Sequence, residues 1–310
     1  TKVCDNVSDA VEEISKHRNE LKYLSKKNDC LIGISGTHPT ALPIEQTFVN
    51  NESYKWVAKQ LQYYAKRNIT FSTHIHIGVD DPEKSIKICN SLRRWIAPLL
   101  ALSVNSPFFE GSLTGMCSSR TLQFNSFPRT EIPNYIHSYK EYLNIIDNYI
   151  KSDSIEKPRQ IWWKIRPHIE YGTIEFRMCD AQRSLSNVKM LAGLAQALVH
   201  TIYKKNDFTD CLYKSEYLND SLWKASRFGL QSKIIDPGTE KIINMIDFIE
   251  IMYNYCLDSL NYFKNQDIIE TVKYVLKNNT EYHRQMNIYN TGGIKELKKF
   301  LIDDVEYSLK

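Results

Sequence analysis

The sequence predicts an α+β chain: short strands gathered into one antiparallel sheet, helices behind it, and a helical C-terminal third. Three observations predict this. "STHIHIGV" (72–79) alternates two histidines with two isoleucines, the period of a strand with one apolar face. "QIWWKIRPHI" and "YGTIEFRMCD" are strand candidates joined by a tight connection at 170–172, as an antiparallel pair should be. From Leu185 onward the pattern is almost wholly helical, including the apolar stretch "NVKMLAGLAQALVHTIY".

In chain order, Val7, Val11, Ile14, Leu21 and Leu24 recur at helical spacing with charges between them, so an amphipathic helix is expected to stop near "KKND". "CLIGIS" (30–35) reads as a short buried strand and "GTHPT" as the turn after it, with His38 exposed. A helix fits 52–67, followed by the histidine strand. "DDPEKSIKICNSLRRWIAPLLALS" opens on acidic residues and a proline, which favour a helix start. Residues 105–133 are rich in Ser, Gly, Thr, Asn and Pro. A loop that long is expected to work as a lid or binding loop, ordered by ligand. A helix near 134–150 precedes the strand pair. No internal repeat, low-complexity tract or linker interrupts the chain, so residues 1–310 are read as one catalytic domain.

Composition removes several classes of function. The 310 residues, 42% hydrophobic, suffice for a large core. A net charge of +4, with no basic run interleaved with aromatics, does not point to nucleic acid. Seven scattered cysteines without a C-x-x-C (Cys4, Cys30, Cys89, Cys117, Cys179, Cys211, Cys256) are expected to be reduced thiols in a cytoplasmic protein. The longest apolar run, "WIAPLLALSV", is half of the roughly 20 residues a membrane span needs, and no signal-peptide pattern is present.

Chemistry concentrates in the strands. His74 and His76 share a face, as do Glu175 and Arg177 in "TIEFRM", and Arg166 lies on the partner strand. Each piece has a bland reading: H-x-H on a strand is more often two hydrogen-bonded histidines than a metal site, and E-x-R is more often a cross-strand salt bridge. Their coincidence on one face favours a site. A carboxylate and imidazole can hold a divalent metal, and an arginine beside them can bind an anion bidentately. That equipment suits phosphoryl transfer.

The segments "GTHP", "THIHIGVDDPE", "LLALSVNSPF", "SSR", "FPRTEIP", "IWWKIRPH", "GTIEFRMCD" and "WKASRFGL", in this order, resemble the bacterial glutamate–cysteine ligase type 2 family, the carboxylate–amine ligases. The resemblance implies a glutamine-synthetase-like fold holding ATP and Mg²⁺. It also implies activation of a carboxylate, usually glutamate's, as an acyl phosphate attacked by an amine such as cysteine's, and a weak glutamate–cysteine ligase activity is compatible with it. Small-molecule acid and amine substrates follow, without nucleic acid or membrane partners, and a homo-oligomer is compatible.

Carried over, Glu175 and His74 resemble metal ligands, while Glu175 and Arg177 form the catalytic pair, with Arg177 on the transferred phosphate. His76 faces substrate. Arg120 and Arg166 are expected to meet the amino acid's carboxylate or nucleotide phosphates, and Arg227 to lie near the nucleotide. Imidazole ligation leans away from Mg²⁺ towards Mn²⁺ or Zn²⁺. The chain departs from the family at Ser221, where an asparagine is usual. It also begins at Thr1, downstream of the family's G-x-E-x-E strand, so the resemblance implies a longer parent protein. Two alternatives stay open: a metal-dependent hydrolase using His74, His76 and Glu175, which would turn over without ATP, and a non-catalytic remnant that binds nucleotide or amino acid.

Overall fold

A computed structural model describes residues 1–206, 208 and 212–307 of the chain. Cys211 lies outside the described residues; the other six cysteines are free thiols.

Helix α1 (Val7–Lys27) starts where Asn6 Oδ1 accepts from the Asp9 amide and ends on Lys26 and Lys27, which suit the negative end of the helix dipole. The strand expected at 30–35 does not form. Leu31 is 78% exposed, and the segment runs past Leu301 with only one bridge, Thr37 to Thr70, just after it. Four apolar residues in six made a strand pattern, but among the described residues no neighbour is aligned to pair with it.

Helix α2 (Glu52–Leu61) covers the first part of the expected 52–67 helix. Gln62, at φ +49°, breaks it, and 62–67 continues as 3₁₀ turns. Strand β1 (Ile75–Gly78) follows, then α3 (Pro82–Leu92), whose N-cap Asp81 accepts from the Glu83 and Lys84 amides with Pro82 in the first turn. Helix α4 (Ile96–Ser103) is buried along its whole length.

Residues 105–133 are not an external lid. They form a hairpin of β2 (Phe108–Phe109) and β3 (Ser112–Leu113) and helix α5 (Ser119–Asn125). Asn105, Ser106, Ser118, Ser119 and Arg120 are all buried. Several of their polar groups meet at Asp180, whose Oδ2 accepts from the Asn105 amide (2.9 Å) and Ser106 Oγ (2.7 Å) and whose Oδ1 accepts from Ser118 Oγ (2.8 Å). Burial without a hydrophobic pattern is tolerated when most such groups find a partner.

After α6 (Tyr139–Lys151) come β4 (Ile165–His168) and β5 (Thr173–Phe176), paired antiparallel across a turn where Gly172 takes φ +60°. β1 pairs with the other edge of β5, so the sheet runs β1-β5-β4. Ile75, Ile165, Ile174, Phe176 and Met178 join a core with α3, α4 and α7 (Leu185–Lys205). The C-terminal third is helical as expected: α8 (Ser215–Phe228), α9 (Met245–Tyr255), α10 (Leu257–Tyr262), α11 (Asp267–Asn278) and α12 (Glu281–Tyr307), the last broken at Gly293. One unexpected hairpin, β6 (Lys233–Ile235) with β7 (Ile242–Asn244), interrupts it, its turn held by Asp236 accepting from the Gly238 amide.

Candidate active site

The strand register dictates which side chains meet. His76 and Arg166 lie directly opposite Glu175, one on each neighbouring strand. One step further along the same face come His74, Arg177 and Lys164, where the Arg177 amide still donates to the Lys164 carbonyl (2.9 Å). The polar face is thus two rows of three, with Glu175 central in one and Arg177 central in the other.

Glu175 is 2% exposed and sits between two guanidiniums: Arg166 Nε donates to its Oε2 (2.6 Å) and Arg177 Nη1 to its Oε1. His74 Nδ1 and His76 Nε2 approach the same Oε1 at 3.4 and 3.5 Å. Burial by itself would raise this carboxyl's pKa, but the hydrogen bond to His76 and the charges of Arg177 and Arg166 outweigh it and hold the group ionised well below the usual range.

His74 is driven the other way. Burial first, then the positive charge of Arg177, push its pKa down to about 3, so it is neutral near pH 7. Arg177 Nη1 approaches His74 Nδ1 at 3.4 Å, and arginine cannot accept. The lone pair is therefore assigned to Nδ1, and Nε2–H donates to Ser72 Oγ (2.8 Å).

Lys164 and Phe124 were not singled out in the sequence. Lys164 is 2% exposed and donates from Nζ to Asn125 Oδ1 (2.5 Å); burial, then Arg120 and Arg177, hold its ammonium well below the ordinary lysine range. Phe124 seats three cations over its ring, with Lys164, Arg120 and Arg177 at 5.4, 5.7 and 6.0 Å from its centroid. At the opposite end His168 stacks on Tyr171 (4.3 Å, 4°), and His76 stands edge-on to both. Lys164, Arg166 and His168 alternate in "WKIRPH", so period-2 counting could have found Lys164 and His168. Phe124, on a helix far away in sequence, left no signal.

The structure brings His74, His76, Arg166, Glu175 and Arg177 together, with Arg120 packed behind Arg177 on the same Phe124 ring, but not Arg227. Arg120 is buried, and its two Nη groups donate to the Arg177 (2.8 Å) and Met178 (2.9 Å) carbonyls, bracing the end of β5. Arg227 turns to the Gly115 carbonyl, and Ser221 Oγ donates to the Ile235 carbonyl (3.2 Å); both stand on α8, away from the sheet.

Magnesium favours near-octahedral oxygen coordination. The sheet face offers one carboxylate, already held by two guanidiniums, and among the described residues no group of three or more His, Cys, Asp or Glu could hold a metal. The donors present do not fit magnesium or a hydrolytic zinc on His74, His76 and Glu175. What the face does offer is Arg166 and Arg177 against a single carboxylate, with Arg177 Nε buried and unpartnered, an arrangement complementary to an anion.

Among the described residues no helix is long and apolar enough to cross a membrane. A family described as glutamate–cysteine ligase family 2 matches residues 1–299. Two relatives carry the provisional name glutamate–cysteine ligase 2. The one from Solibacter usitatus is 33% identical, over 100% of this chain and 81% of its own length. The one from Herpetosiphon aurantiacus is 34% identical, over 97% of this chain and 79% of its own. Among solved structures, the chain is similar to a glutamate–cysteine ligase from Francisella tularensis in complex with AMP (TM-score 0.54, 13% identity, 83% of this chain, 61% of that one). It is also similar to the Pup ligase PafA in complex with ADP (TM-score 0.51, 10% identity, 98% and 64%). The chain spans less than two thirds of either structure, and both likenesses are of fold.

Proposed function

Because the chain belongs to glutamate–cysteine ligase family 2, we propose that it is an ATP-dependent carboxylate–amine ligase whose reacting groups meet over the polar face of the β1-β5-β4 sheet, residues 1–310 acting as one catalytic unit. The observation that carries this reading is the pair of guanidiniums on that face, Arg166 and Arg177, both donating to the one carboxylate of Glu175. Joining an acid to an amine with ATP needs such a place. A carboxylate oxygen attacks the γ-phosphorus, the bond to ADP breaks, and negative charge spreads over the transferring phosphoryl oxygens. Arg177 is the group that neutralises it. Glu175 keeps both guanidiniums oriented, and neutral His74 accepts from Arg177 without adding charge. The amine nitrogen then attacks the acyl carbon, phosphate leaves, and the nitrogen gives up a proton as the amide forms.

Glutamate is the acid tested first, and cysteine one amine among several. The experiment measures ADP release by the purified protein with glutamate and a panel of amines, omitting each component in turn. ADP formation that needs ATP, acid and amine together is the expected result. Turnover of an amide or ester without ATP would replace the ligase reading with a hydrolase. Nucleotide binding with no dependence on acid or amine would leave a non-catalytic binding protein.

A further inference from the structure

We propose that the Lys164 amine takes up carbon dioxide as a carbamate, a covalent modification that completes the charge balance behind Arg177 and does not depend on the ligase reading. Lys164 and Arg177 are neighbours across the sheet, joined by the Arg177 amide and the Lys164 carbonyl (2.9 Å). Arg120 brings a second guanidinium to the Phe124 ring that both of them share.

Negative charge is one unit short here. Three buried guanidiniums, Arg120, Arg166 and Arg177, face two buried carboxylates: Glu175, held by Arg166 and Arg177, and Asp180, 3.9 Å from Arg120. Glu131, the other carboxylate acting on Lys164, is exposed to solvent. Two donors also lack acceptors. Arg120 Nε and Arg177 Nε are both buried without a hydrogen-bond partner among the described residues, a costly condition that a nearby anion relieves.

Lys164 is the group able to become that anion. An ammonium has three protons to donate, yet Nζ makes one hydrogen bond among the described residues, to Asn125 Oδ1 (2.5 Å). Burial, then Arg120 and Arg177, favour the neutral amine and its free lone pair. Asn125 is the exposed last residue of α5 and lines a cavity of about 430 Å³, so the amine lies one side chain from open volume. In the step proposed, the nitrogen lone pair attacks the carbon of carbon dioxide. A C–N bond forms, one C=O π pair moves onto oxygen, and the nitrogen releases a proton to water. The remaining N–H still donates to Asn125, and the two carbamate oxygens are the acceptors for Arg120 Nε and Arg177 Nε. Arg177 is then held through the nitrogen that Glu175 leaves unbonded.

The test equilibrates the purified protein with bicarbonate and dissolved carbon dioxide, traps carbamates as ethyl esters with triethyloxonium, and maps them by peptide mass spectrometry. The ester should be found on Lys164 at least about 10-fold above exposed lysines such as Lys151, whose amine is neutral in roughly one molecule in a thousand near pH 7.5. Carbon-13 bicarbonate should give a carbamate resonance that disappears on degassing and is absent from Lys164→Met. The thermal midpoint should rise with bicarbonate in the unsubstituted protein and not in Lys164→Met. No ester on Lys164, or esters on exposed lysines alone, would overturn the proposal, and this arm needs no variant to fold. Equal stabilisation of Lys164→Met by bicarbonate would also overturn it, because the anion would then be bound rather than made on the lysine.

Discussion

The two faces of the β1-β5-β4 sheet are made by the same few residues in alternation and obey opposite rules. On one side Ile75, Ile165, Ile174 and Phe176 enter the core with α3, α4 and α7. On the other, Glu175 and Arg166 are as deeply buried, at 2% and 4%, yet charged. The apolar face needs only volume and is tolerant of chemistry. The polar face needs counter-charges, because an ion taken out of water is stable only beside its counter-ion. Burial alone therefore does not separate a structural residue from a functional one here; the distinction lies in what replaces the lost water.

The largest effect should come from unbalancing the polar face. Glu175→Gln leaves Arg166 and Arg177 buried without their shared carboxylate and should cost about 3–5 kcal/mol of stability by urea denaturation. A loss under 1 kcal/mol would show that solvent already compensates those guanidiniums.

A paired experiment then asks whether the faces divide rate from stability. Arg177→Lys keeps the charge but loses the planar fork, and ligase turnover should fall about 10²–10³-fold with little change in ATP affinity. Ile174→Val, on the other side of the same strand, should cost about 0.5–1.5 kcal/mol of stability and leave turnover unchanged. If the lysine variant turns over normally, Arg177 is only a salt-bridge partner.

The last contrast is in the pH dependence of stability. His74 falls from 6.5 unfolded to about 3 folded, and Glu175 is also lowered, so the unfolded chain binds more protons over that window. The His74 contribution is complete above about pH 6.5 and declines as pH falls towards 3. His74→Gln should flatten the upper part of that decline in denaturation midpoints measured from pH 7 to 4, whereas Ile174→Val should shift the curve without changing its slope. An unaltered slope in His74→Gln would mean that the imidazole is solvated.

The sheet and its shared face were legible because period-2 alternation fixes parity whatever the rest of the chain does. Arg120 is buried where exposure was the natural reading: "SSR" in a Ser- and Gly-rich stretch looks solvent-facing, but both Nη groups donate to the Arg177 and Met178 carbonyls just beyond β5. Asp180 and the polar residues around it replace a hydrophobic core with a hydrogen-bonded one, which no apolar pattern announces. The β6–β7 hairpin did leave a signal, the "DPGT" turn between two isoleucine pairs, but it was hidden in helical surroundings. The run at 30–35 misled in the opposite sense, because propensity without a partner strand makes no sheet.

The register that joins His74 to Arg177 spans 103 residues of chain. At synthesis rates of roughly 5–20 residues per second, β1 waits on the order of 5–20 s for β5 to leave the ribosome. Throughout that interval Ile75 is without the strand that later flanks it, and the helix most able to shield it is α3, which follows β1 almost at once and shares its core. The histidine strand is therefore made first and completed last, and the site comes into being only when the distant E-x-R strand closes the sheet over that early helix.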